Sequence, residues 1–281
     1  MTILRSPSCS LSALLILGLS SGCREGRNPE TISPEEGLQT TTSTGVVVPM
    51  LPPQVSAPSA LEDAVAILLG GDAQLALDRL QPLFTDIEDS EKTLSARTLV
   101  AGWIVMGHCV ALLPENGDDL LASMQQWTSR LESAAVDEAA AARSVTSLAE
   151  GVHYKAFGDF EAAIVSFRSV SESAGPWQAL AILWLAEATL NSAYSEDGTG
   201  IDRPEKIDDA RPLYEQALRM SSRDIVRGLA NEGLSIVAEL KRDRSEACEF
   251  ASAALAAYQA AGASQYRLES PQITLKKNRC D

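Results

Sequence analysis

The sequence predicts an all-α protein, on the evidence of its composition and its periodicity. Apolar residues make up 45% of the chain and aromatic residues only 5%, and alanine and leucine supply most of the apolar side chains. Both are strong helix formers, and the small alanine side chain allows close contact between helices. From residue 60 onward, apolar residues recur at steps of three and four, which is the spacing of one face of a helix.

The chain carries an excess of acidic side chains, with 38 Asp and Glu residues against 23 Lys and Arg residues and a net charge of −15. Such a surface repels the phosphates of nucleic acids and anionic lipid headgroups. The composition therefore argues against a nucleic-acid partner and against a polybasic membrane patch. Any attachment to a membrane would have to come from a covalent lipid.

Residues 1–22 have the layout of a secretory signal peptide, with Arg5, a short apolar stretch and small residues before Cys23. The segment resembles the signal of bacterial lipoproteins, in which the cysteine is acylated and becomes the new N-terminus. That resemblance implies a lipid anchor at Cys23. Because Arg24 follows it instead of Asp, it also implies sorting to the outer membrane, facing the periplasm. Ser20 stands where that family usually has Leu, so ordinary secretion without a lipid stays open.

Residues 23–59 are rich in Pro, Thr and Ser and show no helical period. A segment of this composition buries too little apolar surface to offset the entropy of ordering it, so we predict a disordered tether. After it we predict a helical domain over residues 60–262 and a C-terminal tail over residues 263–281. No stretch beyond the signal is long and apolar enough to cross a membrane.

The clearest helical hairpin lies between residues 145 and 173, where small and large apolar residues alternate. Gly151 and Ala163 fall where two antiparallel helices would approach most closely, and the aromatic residues would fill the space beside them. A glycine between the two helices marks the turn. The pattern consists of Gly151, Tyr154, Gly158, Phe160, Ala163 and Phe167.

This pattern resembles the tetratricopeptide repeat, a helical hairpin that stacks into a curved solenoid. The resemblance implies about five repeats, although amphipathic helices in a row would also fit an irregular bundle. The predicted hairpins cover residues 60–86, 91–134, 137–173, 177–220 and 222–261.

No constellation of catalytic or metal-binding residues is evident. His108 and His153 are the only histidines, and they fall on different hairpins, so neither has the neighbouring ligands that a zinc site needs. Cys109 lies in an apolar run, which favours a buried thiol over a nucleophile. The sequence therefore predicts a protein without enzymatic activity, metal or cofactor.

Export would place Cys109, Cys248 and Cys280 in an oxidising compartment, where disulfides form. We predict a bond between Cys248 and Cys280, because it would join the C-terminal tail to the last hairpin. One thiol would then remain unpaired.

In the repeat family, the first helix of each hairpin lines a concave groove that receives extended peptides or partner helices. By that resemblance, the groove of this chain would be mildly acidic and suited to a basic or polar segment. We therefore expect a lipid-anchored envelope protein that acts as a non-catalytic protein–protein interaction scaffold or assembly factor. The alternative, without a lipid, is a secreted binding module or an accessory subunit of an enzyme complex. The predicted groove residues are Lys155, Glu187, Asn191, Glu232 and Glu239.

Overall fold

The fold is all-α, which confirms the predicted class, in a computed structural model that describes residues 58–135, 138–195 and 198–280. The predicted signal peptide, Cys23 and nearly all of the predicted tether lie outside these residues. None of the helices described is long and apolar enough to cross a membrane.

Eleven α-helices follow one another in the described chain, and the first ten pack as consecutive pairs. The eleventh lies in the segment that the sequence analysis assigned to the C-terminal tail. Short 3-10 helices cover Glu91–Thr93 and Pro114–Gly117. The α-helices are α1 Pro58–Leu69, α2 Ala73–Asp86, α3 Leu94–Val110, α4 Asp118–Ser133, α5 Ala139–Ala156, α6 Phe160–Ser171, α7 Gln178–Asn191, α8 Glu205–Met220, α9 Asp224–Leu240, α10 Arg244–Ala260 and α11 Gln265–Lys277.

Three of the pairs use the same turn between their two helices. A residue with positive φ ends the first helix, and an aspartate then caps the second by accepting a hydrogen bond of 3.0–3.1 Å from the backbone N–H three residues later. The N–H of that aspartate bonds back to the carbonyl five residues earlier, at 2.9–3.1 Å. The three turns are Gly71–Asp72, Gly158–Asp159 and Arg242–Asp243.

The pairs are arranged in an inner and an outer layer. The inner helices α7 and α9 each bury eleven residues, whereas the outer helices α6, α8 and α10 each bury four. Helices that are apolar on every side belong inside a fold, and helices with one narrow apolar stripe belong at its surface. The first helix of each pair is therefore the one that faces the interior.

The inner helices form a closed ring. Helices α1, α3, α5, α7 and α9 each contact the next in this order, and α9 in turn contacts α1. Helix α11 completes the closure: the backbone N and Oγ of Ser264 both donate to the carbonyl of Gly70, at 3.0 and 2.7 Å. Arg267 Nε donates to the carbonyl of Leu69 at 3.2 Å. The two ends of the row are thus held together by hydrogen bonds.

Close approach between helices depends on glycines that face aromatic rings. A Cβ atom added at Gly151 would lie within 3 Å of the Phe167 ring, and one added at Gly228 would lie equally near Tyr258. Gly151 and Ala163 are both buried, as the close approach of α5 and α6 requires. Only a residue without a side chain fits at such a crossing.

Tyr154, expected to fill the space beside Gly151 and Ala163, lies partly in solvent instead. Its side chain is 37% exposed and contacts the ring of His153, at a centroid distance of 6.3 Å. Tyr154 lies on a face of α5 directed away from the core, since it is three residues from the exposed Phe157. Phe160 is half-buried, and Gly158 lies in the exposed turn with φ of 81°.

A disulfide joins Cys248 of α10 to Cys280, which directly follows α11, with their Cα atoms 5.6 Å apart. The bond fixes the end of α11 to the last pair. Cys109 is the free cysteine of the described chain, and it is buried.

Candidate binding cavity

The ring of inner helices encloses a cavity of about 330 Å³. Its walls are mainly apolar, and each of the five inner helices contributes to them. This is the volume range of small-molecule sites, which combine apolar walls with a few polar groups. The apolar wall includes a residue from each of the inner helices α1, α3, α5, α7 and α9, which are, in that order, Leu68, Met106, Val152, Trp184 and Leu229.

An ion pair crosses one side of the cavity. Lys155 Nζ of α5 donates to Glu187 Oε2 of α7 at 2.6 Å, and both side chains are only 16% exposed. A pair this buried contributes little net stability, but the removal of one partner leaves an uncompensated charge in a poorly hydrated place. The two predicted groove residues therefore neutralise each other.

Asn191 lies one helical turn after Glu187 and also lines the cavity. The residue is 5% exposed, and its Oδ1 has no hydrogen-bond partner among the described residues. Buried amide oxygens in folded proteins almost always have a donor. This oxygen has almost no accessible surface, so it is a buried acceptor without a donor and not a group that the cavity presents to a ligand.

Arg267 of α11 supplies the cation on the other side of the cavity. Its Nε is bonded to the carbonyl of Leu69, but its guanidinium forms no ion pair with any described carboxylate. Burial alone would lower the pKa of Arg267, yet the nearby oxygens of Tyr258, Glu232 and Glu187 raise it above its ordinary value. Arg267 stays charged. Its guanidinium lies over the ring of Tyr266, with Cζ 5.9 Å from the ring centroid, and its terminal N–H groups have no hydrogen-bond partner in the part of the chain that the structure describes.

The other two predicted groove residues are occupied by internal partners. Glu232 accepts a hydrogen bond from the hydroxyl of Tyr258. Glu239 is bonded to Lys277 Nζ at 3.1 Å and to Asn278 Nδ2 at 2.6 Å, both at the end of α11. Every carboxylate in the predicted groove set therefore has a hydrogen-bond partner within the chain.

Exposed apolar side chains lie at the C-terminal ends of α3 and α5, and we call these four residues the apolar rim: Leu112, Leu113, Tyr154 and Phe157. These side chains are 37–58% exposed, and Leu112 and Phe157 also line the cavity. His153 packs against the Phe157 ring at a centroid distance of 4.9 Å, and its Nε2 lies 2.7 Å from Asp118 Oδ1. His153 is therefore fixed between the ring of Phe157, which belongs to the rim, and the carboxylate of Asp118.

Cys109 lines the cavity as a thiol, not as a thiolate. Burial raises its pKa to about 12, an effect that the charge of Lys155 opposes and that of Asp118 reinforces. The pKa of the adjacent His108 is lowered by burial. The described residues contain no group of three or more His, Cys, Asp and Glu side chains that could hold a metal ion.

Sequence reasoning missed Arg267, which was assigned to the tail. Its place in the cavity depends on the return of α11 to the first pair, a contact between residues 198 positions apart. Local periodicity carries no signal for such a contact. No protein family, characterised protein or solved structure matches this chain.

Proposed function

We propose that this chain is a non-catalytic binding protein of the bacterial cell envelope, a lipid-anchored scaffold or assembly factor whose concave face receives a partner protein. Under this proposal the helical pairs are tetratricopeptide-like repeats, and their solenoid closes on itself. The observation that carries the proposal is the exposed apolar rim beside the cavity. Clustered exposed apolar side chains mark interaction sites in soluble domains.

The chemistry of the rim defines the segment that fits it. Phe157 and Leu112 are 58% and 50% exposed, and exposed aromatic and aliphatic side chains of this kind often become anchors of an interface. Glu115 and Asp119 follow Leu113 closely in the chain and are exposed, and neither forms an ion pair within the described chain. The expected partner segment therefore presents an apolar residue to the rim and basic residues on either side of it.

Site-specific photocrosslinking in the native envelope tests this surface. A photoreactive amino acid replaces Phe157 in one variant and Val165 in another. Val165 is the matched control, because it is 68% exposed on the outer helix α6 and does not line the cavity. We expect one protein to crosslink at position 157 and not at position 165. The crosslinked peptide, identified by mass spectrometry, should contain an apolar residue flanked by Lys or Arg.

The same experiment can refute the proposal. Equal crosslinking at both positions, or a crosslinked segment with acidic flanks, would contradict the rim as the docking surface. A further variant, Glu115→Lys combined with Asp119→Lys, should lower the crosslinking yield at position 157 because the new charges repel the basic flanks.

The proposed lipid anchor has its own test. Cells that express the full chain are labelled with a fatty-acid analogue, and the chain and its Cys23→Ser variant are compared. Incorporation into the parent chain alone, with accumulation of the precursor in globomycin, supports the anchor. A mature chain released without label would favour the secreted binding module instead.

A further inference from the structure

We propose that the cavity binds a free fatty acid of short or medium chain length, with its carboxylate on Arg267 and its hydrocarbon chain along the apolar walls. Two observations carry this inference: a guanidinium whose terminal N–H groups have no partner within the described chain, and a cavity lined mainly by aliphatic side chains. The inference goes beyond the proposed scaffold function and rests on different residues, because Arg267 does not belong to the rim. The two proposals can therefore fail separately.

Arg267 presents a binding group that a ligand can reach. Its Nε donates to the carbonyl of Leu69 at 3.2 Å, and its Cγ lies beside Gly71, where an added Cβ would be only 3.0 Å away. These contacts fix the stem of the side chain and leave both terminal nitrogens free of partners among the described residues. Unlike Asn191 Oδ1, these nitrogens keep accessible surface. A guanidinium held in this way is positioned to bind the two oxygens of a carboxylate.

The charges that line the cavity favour an anion. Lys155 and Glu187 neutralise each other, so Arg267 leaves the lining with one positive charge in excess, in a chain whose net charge is −15. The charge of Glu232 acts on Arg267 from outside the lining, but Glu232 accepts a hydrogen bond from Tyr258 and forms no ion pair with the guanidinium. A poorly hydrated cation without a paired anion is costly, and a bound carboxylate offsets that cost.

The walls match a short aliphatic chain. Aliphatic side chains line the cavity on α1, α3, α5 and α9, and the ring of Trp184 closes the wall on α7. The volume of about 330 Å³ lies at the lower end of the range for small-molecule sites, which is about 300–1,000 Å³. A small ligand with one apolar chain therefore fits better than a long or branched lipid.

The other polar side chains of the lining argue against an amine or an amino acid. Glu187 is already paired with Lys155, at 2.6 Å, and Asn191 Oδ1 has almost no accessible surface. An ammonium group would thus lose its hydration without gaining an acceptor from either residue. The carboxylate of a fatty acid needs only Arg267.

Calorimetric titration of the purified full chain, freed of co-purified lipid, with hexanoate, octanoate and decanoate at neutral pH tests the site. We expect saturable binding, with an affinity that rises roughly fourfold for each added methylene until the chain fills the cavity, because each methylene leaves water for an apolar wall. The alcohol and the amine with the chain length of the best acid should bind roughly tenfold more weakly or worse, since neither brings an anion to the guanidinium.

Variants locate the two ends of the ligand. Arg267→Gln should weaken binding of the best acid roughly tenfold or more and leave the affinity for the matching alcohol unchanged, because only the acid uses the guanidinium. Ala156→Leu adds bulk at a position that lines the cavity, and it should weaken binding of the acid and of the alcohol alike. Lys276→Gln is the matched control: it removes a positive charge from an exposed position of α11 that does not line the cavity, and its affinities should equal those of the parent chain.

Four results would overturn the inference. The first is no saturation by any of the three acids at roughly millimolar concentration. The second is equal affinity of the parent chain for the acid and its alcohol, which would leave the carboxylate without a role. The third is a change of the same factor for acid and alcohol in Arg267→Gln, and the fourth is unchanged affinity in Ala156→Leu, which would place the chain outside the cavity. Crosslinking at position 157 is scored without added fatty acid, so none of these results decides the scaffold proposal.

Discussion

The substitution Gly151→Ala should destabilise the protein although it adds only one methyl group. The new Cβ would lie 2.6 Å from Cδ1 and 2.8 Å from Cζ of Phe167, and closer still to Cε1. Favourable carbon–carbon separations are about 3.5–4.0 Å, so the ring would have to retreat by roughly 1 Å. Phe167 has no exposed surface and packs beside the ring of Trp184, at a centroid distance of 5.9 Å. The ring therefore has no free space to enter.

Two opposing effects set the magnitude. Alanine is favoured over glycine inside a helix by about 1 kcal/mol. Overpacking of a core costs about 1–3 kcal/mol and sometimes more. Because three carbons of a buried ring are too close, we place the clash at the upper end of that range. The net loss of unfolding free energy is then about 2 kcal/mol, which lowers the Tm of a domain of this size by about 4–8 °C.

Thermal and urea unfolding, followed by circular dichroism, measures this loss against a matched control. Gly175→Ala is suitable, because a Cβ at Gly175 would meet nothing within 4 Å. Its stability should remain the same or rise slightly, since alanine restricts the unfolded chain. In Phe167→Leu the smaller side chain leaves room for the methyl group. Gly151→Ala should therefore cost much less in that background, which a double-mutant cycle detects.

The reasoning is refuted if Gly151→Ala matches or exceeds the stability of the parent chain. It is also refuted if the cost of Gly151→Ala is the same with Phe167 and with Leu at that position. Either result would mean that α5 and α6 do not meet through this glycine and this ring.

Three further predictions concern the cysteines and the buried ion pair. Reduction of the Cys248–Cys280 bond, which closes a loop of 32 residues, should lower the unfolding free energy by up to about 3–4 kcal/mol, as urea titrations with and without reductant will show. Lys155→Met should destabilise the chain by a few kcal/mol because it strands Glu187, whereas Lys155→Met combined with Glu187→Met should be near neutral by the same titration. The pKa of the Cys109 thiol is about 12 in the folded chain and about 9.0 in the unfolded chain. Because the folded pKa is the higher one, the contribution of the protonated thiol to stability is complete below pH 9 and is lost as the pH rises from 9 to 12. Alkaline unfolding curves should show this loss in the parent chain and a smaller one in Cys109→Ala.

The fold class could be predicted from the sequence because helix formation is governed by local spacing. The turn at Gly158 was predictable too, since a glycine followed by an aspartate carries both the positive φ and the helix cap. The equivalent turn at Arg242 was less visible, because its φ of 62° is one that a non-glycine residue rarely adopts. In that turn only Asp243 carries the local signal, as the cap of α10.

The predicted groove shows what short segments of sequence cannot predict, namely which helical faces another part of the chain covers. Lys155, Glu187 and Asn191 do line one cavity, because they lie on the inner faces of neighbouring inner helices. Glu239 does not, since its carboxylate is bound by Lys277 and Asn278 at the end of α11. Whether a helical face is open or covered depends on which distant segment folds onto it. That information resides in the complete set of long-range contacts and not in any short window of the sequence.

The hydrogen bonds from Ser264 to Gly70 also bear on how the protein is made. The donor and acceptor are 194 residues apart, so in a chain that is exported from its N-terminus the first helical pair reaches the far side of the membrane well before its partner does. A linear array of helical pairs can begin folding before the whole chain has crossed. Here the nascent N-terminal pair keeps an unsatisfied edge until the last helix emerges, so chaperones that hold incomplete chains have a defined interval in which to act.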